Sequence, residues 1–196
     1  GWYTGPALVI AEHHGAATKL APAEYNASAG GRTRRPVVYR FRYEERVRVA
    51  SVAMKDYTFR NPAYALMHEN ATGGLHHRED YQHYDYPGRF KQDASGQPFT
   101  ESRLDALRND AAIADGQSNR PDFTVGAKVE LTDHDNPRLN REWLFTSITH
   151  TGEQPQALEE DGNNGATTYH NAFNAIPADR TWRPQVEHRP LMDGPQ

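Results

Sequence analysis

The stretch Val37–Tyr43 reads VVYRFRY, and it is the part of this chain of 196 residues that decides the fold class. Its aromatic residues, Tyr39, Phe41 and Tyr43, occupy every second position, with arginine between them. A period of two residues places the rings on one face of an extended chain and the arginines on the other. The pattern therefore predicts a β-strand with one buried face.

The alternation continues through Val47 and Val49 and then changes phase at Val52 and Met54. Such a change predicts a bulge or a turn near residues 50–51. Pro62 ends the run, because proline has no N–H to give to a sheet. Four further segments predict strands: Ala7–Ala11, Phe123–Leu131, Trp143–Thr149 and Tyr169–Ile176.

One helix is predicted, over Thr100–Asp115. Its apolar residues are spaced by three, four and three positions, which places them on one stripe of a helix. They are Leu104, Leu107, Ala111 and Ala114. Thr100 or Ser102 is expected to cap the start, and Gly116 stands where a glycine is favoured after a helix. The sum is a mainly β fold of barrel or sandwich type with one prominent α-helix near residues 100–115.

The remaining segments predict connections. Residues 15–31 and 153–165 are predicted loops, and Asp133–Asn140 is a predicted polar turn between strands. Residues 177–196 contain four prolines and little apolar periodicity, so they are predicted to be an extended linker.

Composition excludes several classes of function. The net charge is −4, which argues against bulk attraction to nucleic acid or to an anionic membrane. The chain has no cysteine, so disulfides and thiolate chemistry are absent. No apolar run approaches the roughly 20 residues of a membrane span. The first residues, Gly1-Trp2-Tyr3, include neither methionine nor a basic region, so we expect an internal starting point rather than a signal peptide.

Ten histidines make a metal site the first chemistry to consider. The candidate ligands are His13-His14, His76-His77, His68-Glu69 and His150 with Glu153. Adjacent residues of a strand point to opposite faces, so the two histidine pairs do not make bidentate sites. The helical zinc motif that His68-Glu69 begins lacks its second histidine, because Thr72 stands there. We therefore predict ordinary surface or loop histidines and no metal.

Other reactive patterns also fail at particular residues. Residues 133–136, DHDN, begin like a calcium-binding loop, but Pro137, Arg138 and Leu144 replace a ligand, the turn glycine and the closing glutamate. The chain contains neither the G-x-S-x-G elbow of serine hydrolases nor a phosphate-binding glycine loop. The residues thus mark out no catalytic group and no cofactor site.

A row of arginines surrounds the opening stretch, at positions 32, 34, 35, 40, 42, 46 and 48. Arginines interleaved with aromatic rings could bind a nucleic acid strand. Because Arg40 and Arg42 fall on the face opposite the rings, contact with another protein is favoured instead.

Several motifs follow one another as they do in the VgrG spike proteins of type VI secretion and the related phage tail hub proteins. Arg46–Pro62 reads RVRVASVAMKDYTFRNP, Tyr84–Phe90 reads YDYPGRF, and Trp143–His150 reads WLFTSITH. The chain resembles this family over nearly its whole length, less so over residues 1–35 and 153–165. The motif residues, to which the resemblance assigns a structural role, are Asp56, Tyr57, Phe59, Pro62, Tyr84, Tyr86, Pro87, Gly88, Asn140, Tyr169, Asn171, Phe173, Ile176, Pro177, Ala178, Arg183 and Pro184.

The resemblance implies a structural component of a puncturing spike. Residues 1–176 are then part of a hub-like β-barrel region whose upstream portion is absent, and residues 177–196 lead toward an OB-fold that is not included. The implied partners are two further copies in a homotrimer, the secretion tube protein, and effectors or spike-tip proteins. The implied location is the bacterial cytoplasm during assembly, and the exterior or a target cell after sheath contraction. Catalysis, cofactors, nucleic acid and a membrane span are not expected.

Two alternatives stay open. A phage or prophage tail hub protein would have a closely similar structure in a different biological setting. A metal-dependent hydrolase that uses the histidines is the other alternative.

Overall fold

The structure is a computed structural model that describes residues 14–29, 35–60, 62–73, 80–154 and 167–185. These residues form nine β-strands and one α-helix. The elements are β1 (Ala23–Glu24), β2 (Val38–Glu45), β3 (Ser51–Asp56), β4 (Leu66–Ala71), β5 (Gln82–Asp85), α1 (Asp93–Leu107), β6 (Ala112–Ser118), β7 (Lys128–Thr132), β8 (Glu142–Glu153) and β9 (Thr168–Pro177). The prediction of a mainly β chain with one helix is confirmed. Within these ranges no helix has the length and apolar character needed to cross a membrane.

The chain divides into two compact units. The first comprises Gly1–Glu44 and Ala112–Thr181, and the second comprises Glu45–Ala111 and Trp182–Gln196. The second unit thus interrupts the first in sequence, between β2 and β6. Those two strands are neighbours in one sheet, so the chain leaves and re-enters the first unit at adjacent positions.

The first unit contains a six-stranded sheet in the order β1-β7-β8-β9-β6-β2. Just after β1, the backbone N–H of Asn26 donates to the carbonyl of Val38 over 2.8 Å. This bond joins the first strand in the order to the last, so the sheet is nearly closed into a barrel. Closure removes most of the exposed sheet edge, as expected for a barrel.

Aromatic rings fill the interior of the first unit. Phe41 and Trp143 meet edge to face with ring centroids 4.8 Å apart, and Phe145 and Phe173 do so at 5.0 Å. Such edge-to-face pairs add to the stabilisation that comes from burial of apolar area. The burial of Phe41 confirms that the aromatic face of VVYRFRY points inward.

The second unit is a three-stranded sheet, in the order β4-β3-β5, with α1 packed against β3 and β4. Its core consists of Val52, Met54, Leu66, Phe90 and Leu104. Val52 and Met54 both contribute to this core from β3, in the phase that the sequence predicts, and Ser51 and Ala53 beside them are buried as well.

The helix lies seven residues upstream of the predicted start, at Asp93 rather than Thr100. Thr100 is buried inside it and donates its hydroxyl to the carbonyl of Gly96 over 2.8 Å, so it is not a cap. Ala114 and Gly116 belong to β6, where they pair with Ala175 and Phe173 of β9. Small residues at alternating positions are compatible with a strand as well as with a helix, and here the pairing with β9 decides in favour of the strand.

Three other strand predictions need correction. Val47 is 71% exposed and Val125 is 56% exposed, because β2 ends at Glu45 and β7 begins only at Lys128. Val38 is buried although it alternates with the aromatic face, since it lies where the barrel closes. The predicted strand Ala7–Ala11 and residues 155–165 of the predicted acidic loop lie outside the described residues.

A charged clamp joins the two ends of the inserted segment. Arg48 Nε donates to Asp110 Oδ1 over 2.7 Å, and Arg46 Nη1 donates to Asp110 Oδ2 over 3.1 Å. The backbone N–H of Arg46 also donates to the carbonyl of Ala111 over 2.9 Å. The hydrogen bonds from Arg48 and Arg46 lower the pKa of Asp110 to about 2. The clamp therefore uses arginines that the sequence suggested for contact with another protein.

We expect Asp110→Asn to lower the free energy of unfolding at pH 7 by about 1–2 kcal/mol, because three charge-assisted hydrogen bonds, two from Arg48 and one from Arg46, are weakened. The folded pKa lies below the unfolded value near 3.8, so the carboxylate stabilises the fold above that value and ceases to do so as the pH falls toward 2. Urea unfolding of both proteins at pH 7 and at pH 2.5 measures this difference, which should shrink at the lower pH. Asp179→Asn, at an exposed carboxylate, is the control. An equal difference at both pH values would contradict the clamp.

Candidate functional site

Two motifs that are separate in sequence meet in the second unit. β3 and β5 run parallel, with Met54 opposite Asp85. Beyond this pair, Asp56 Oδ1 accepts the backbone N–H of Tyr57 over 2.7 Å, and Asp56 Oδ2 accepts that of Phe90 over 3.0 Å. Both carboxylate oxygens are thus engaged in holding the chain. The arrangement gives Asp56 a structural role and not that of a free acid or base.

Gly88 allows this close approach. Its N–H donates to the carbonyl of Lys55 over 2.8 Å. A Cβ atom at position 88 would lie 2.5 Å from the ring of Phe90 and 3.3 Å from that carbonyl. Only glycine fits between the buried ring and the neighbouring strand without a shift of one of them.

The same motifs present tyrosines to solvent. Tyr57, Tyr64, Tyr84 and Tyr86 are 48–58% exposed. With Pro62, Lys55 and Asp56 they line an open groove of about 390 Å³, which we call the tyrosine groove. The hydroxyl of Tyr64 is hydrogen-bonded to Asp93, which raises the pKa of Tyr64. Phe59, which belongs to the same motif as Tyr57, is 80% exposed. Exposed aromatic groups of this kind are enriched at protein interfaces.

The motif residues of β9 belong to the wall and the core of the first unit. Asn171 is fully buried, and its Nδ2 donates to the carbonyl of Arg120 over 2.6 Å and to the hydroxyl of Tyr169 over 3.1 Å. Tyr169 in turn contacts His150 Nδ1 at 2.5 Å. The buried residues that continue the motif are Phe173, Ile176, Pro177 and Ala178.

Arg120 is a structural residue that the sequence did not single out. Its side chain is nearly buried and donates to the carbonyls of Ala21 over 3.0 Å and Pro22 over 2.7 Å, directly before β1. It also forms an ion pair with Asp122 at 2.5 Å, and this hydrogen bond lowers the pKa of Asp122. Arg120 therefore fixes the strand that closes the barrel. The only hint in the sequence is an arginine and an aspartate two positions apart.

Of the other motif residues, Asn140 holds a turn and Arg183 holds the segment that follows β9. Asn140 accepts the N–H of His134 over 2.8 Å and donates to the carbonyl of the same residue over 3.0 Å, which confirms the predicted turn over Asp133–Asn140. Arg183 forms an ion pair with Asp105 at 3.1 Å. Pro87 and Pro184 are exposed.

His68, His134 and His150 each contact another side chain of the fold. His68 Nε2 contacts Asp93 Oδ1 at 3.0 Å. His134 stacks on Tyr25 with ring centroids 4.3 Å apart. Within the described ranges, no three His, Asp or Glu side chains come close enough together to hold a metal ion. His13, His76 and His77 lie outside those ranges.

Comparison with known proteins gives a family match. The family described as "Phage tail baseplate hub (GPD)" matches residues 4–156. The chain is 44% identical to the actin cross-linking toxin VgrG1 of Vibrio cholerae over 175 residues, which are 89% of this chain and 16% of that protein. It is 40% identical to the type VI secretion system spike protein VgrG3 of Vibrio cholerae over 190 residues, 96% of this chain and 19% of that protein. The chain thus spans a small part of the length of these relatives.

A solved structure supports the fold. The 43 kDa tail protein of prophage MuSo2 from Shewanella oneidensis matches with a TM-score of 0.55 at 12% identity, covering 84% of this chain and 45% of that one. At this identity the likeness concerns the fold alone, and it confirms the predicted hub-like β architecture.

Proposed function

Because the chain belongs to the phage tail baseplate hub family, we propose that it is part of the hub of a type VI secretion spike and that it acts structurally, without catalysis of its own. The observation that carries this proposal is the similarity to VgrG3 over 96% of the chain. The motif residues support it, since Asp56, Gly88 and Asn171 are engaged in holding strands together.

The mechanism in this proposal is mechanical. Three copies surround one axis and adapt the secretion tube to a needle, and contraction of a sheath drives the assembly outward. Assembly takes place in the cytoplasm, and the spike leaves the cell upon contraction. Residues 1–176 belong to the barrel region of the hub, and residues 177–196 lead toward the OB-fold. The tyrosine groove is a candidate contact surface for the tube protein, for effectors or for a neighbouring copy.

A tail hub of a phage or prophage is the second candidate, favoured by the likeness to the Shewanella oneidensis tail protein. The two candidates differ in their genetic setting and not in their physical chemistry. Neighbouring genes for a contractile sheath and a secretion ATPase would favour the type VI assignment, whereas capsid and packaging genes would favour the phage.

The trimer is tested on a longer protein that carries this segment together with the OB-fold and the needle that the proposal implies. Light scattering coupled to size exclusion is expected to give the mass of three chains per particle. The 196-residue chain is the matched control, and the needle is expected to supply most of the trimer stability. A longer protein that stays monomeric at micromolar concentration would rule out the proposed assembly.

A further inference from the structure

Strands β8 and β9 form a ribbon that continues beyond β7, and its last three residue pairs, from Thr151 opposite His170 onward, also continue beyond β6. β7 pairs with β8 only over Glu142–Leu144, and β6 pairs with β9 over Asn171–Ala175. β8 nevertheless pairs with β9 as far as Glu153. Among the described residues, the last bond on the β7 side is that from the N–H of Gly126 to the carbonyl of Phe145. The edge of β8 over Ser147–Glu153 therefore has no partner in the described part of the chain.

The ribbon is exposed and has a composition that favours strands. Residues 149–153 of β8 are exposed, and so are Thr168 and His170 on β9. Residues 147–153 read SITHTGE, with three β-branched residues and neither lysine nor proline. Soluble proteins usually protect an open edge with lysine, proline or a bulge, because an unprotected edge pairs with other chains. A two-stranded ribbon alone is also only marginally stable in water.

Hydrogen bonds near the base of the ribbon fix the direction of its backbone groups. The N–H of Phe145 donates to the carbonyl of Ala127 and its carbonyl accepts from Gly126, so both groups face β7. In an antiparallel pair, the opposite residue, Ala175, then directs its own groups away from β8. The next residue, Asn174, must face β8, and its carbonyl indeed accepts the hydroxyl of Thr146 over 3.2 Å.

The alternation along β9 extends this assignment to the end of the ribbon. Asn174, Ala172 and His170 face β8, where they are opposite Ser147, Thr149 and Thr151. The residues between these on β8 point the other way, with their N–H and carbonyl groups at the open edge. They are Ile148, His150 and Gly152. Three donors and three acceptors are therefore arranged as one side of a sheet ladder.

We propose that an extended strand of a neighbouring subunit completes this edge of β8 in the assembled hub. The proposal rests on the proposed function, which places copies of the chain around one axis. In such a ring each subunit offers two different surfaces, so an open edge on one subunit meets a different segment of the next. Main-chain hydrogen bonds provide the affinity in strand addition, and the side chains beside the edge provide selectivity. Those side chains are small and polar, as at Thr149 and Thr151.

Gly152 offers a sharp test. Proline at position 152 removes the N–H that points to the open edge, whereas alanine keeps it. A Cβ atom there meets nothing nearer than 3.9 Å, so the lone chain has room for the alanine methyl group. In the longer, trimeric protein, we expect the amides of Ile148, His150 and Gly152 to exchange at least about tenfold more slowly than in the 196-residue chain. Gly152→Pro should abolish that protection and weaken the trimer, and Gly152→Ala should preserve both.

The outcomes separate this inference from the proposed function. If the longer protein is trimeric but these amides exchange equally fast in both proteins, the edge is not completed and the inference fails, while the hub assignment stands. Equal trimer stability for the proline and alanine variants would likewise contradict the strand addition and leave the hub assignment intact. If the longer unsubstituted protein is not trimeric, the proposed function itself fails. If Gly152→Pro unfolds the 196-residue chain, the N–H of Gly152 is needed within that chain, and the assignment of this N–H to the open edge of β8 is wrong.

Discussion

Replacement of Phe90 by alanine is expected to lower the free energy of unfolding of the second unit by about 3–5 kcal/mol. Phe90 is only 1% exposed and packs among Val52, Met54, Leu66 and Leu104. Its removal takes apolar area from the core and leaves a cavity between β3 and α1. The effect is large for this unit because its core contains few large side chains.

Phe99→Ala is the matched control, because Phe99 lies on α1 with 46% of its surface exposed. Its loss should cost less than about 1 kcal/mol. Thermal unfolding gives the overall change, and amide exchange over β3 compared with β8 shows which unit has opened. Similar losses for Phe90→Ala and Phe99→Ala would contradict the described core.

Gly116→Ala is expected to destabilise the first unit by about 1–3 kcal/mol. A Cβ atom at position 116 would lie 2.3 Å from the ring of Phe173 and 2.9 Å from the carbonyl of Arg40. The ring is packed against Phe145 and Phe123, and the carbonyl belongs to the backbone of β2. Neither group can move away without disturbing the barrel, so the added methyl group strains the core.

Gly152→Ala serves as the control for Gly116→Ala as well. Both glycines lie in strands, but position 152 is exposed and has room for a methyl group. Chemical denaturation should show no loss of stability at 152, or a small gain, because alanine restricts the unfolded chain. An equal loss at both positions would mean that backbone preference, not the contact with Phe173, sets the effect.

The motif residues fall into two physical groups. Asp56, Gly88 and Asn171 hold backbone segments together, so their substitution should act on folding. Tyr84 and Tyr86 are about half exposed and lie on the tyrosine groove, so their substitution should act on assembly more than on folding. The resemblance assigns a structural role to all of them, and the structure distinguishes the two groups.

Periodicity predicted the regular strands well. β9 matches its predicted segment closely, because buried and exposed residues alternate along most of it, whereas β8 continues four residues beyond its predicted end at Thr149 as exposed chain. The helix is displaced because its first two turns, DASGQPF, have no apolar stripe, while Ala112–Ser118 alternates small residues that also suit a helix. The groove could not be predicted, since three of its four tyrosines come from two motifs that only the pairing of β3 with β5 brings together.

The sequence by itself determined the fold class and the family, because a period of two residues and an ordered series of motifs are both local properties of the chain. Only the tertiary structure decided that VVYRFRY forms a barrel wall interrupted by an inserted unit, that Asp56 binds the backbone of Phe90, and that the edge of β8 over Ser147–Glu153 has no partner strand among the described residues. These features depend on residues far apart in sequence, and no local pattern records which distant backbone groups will meet.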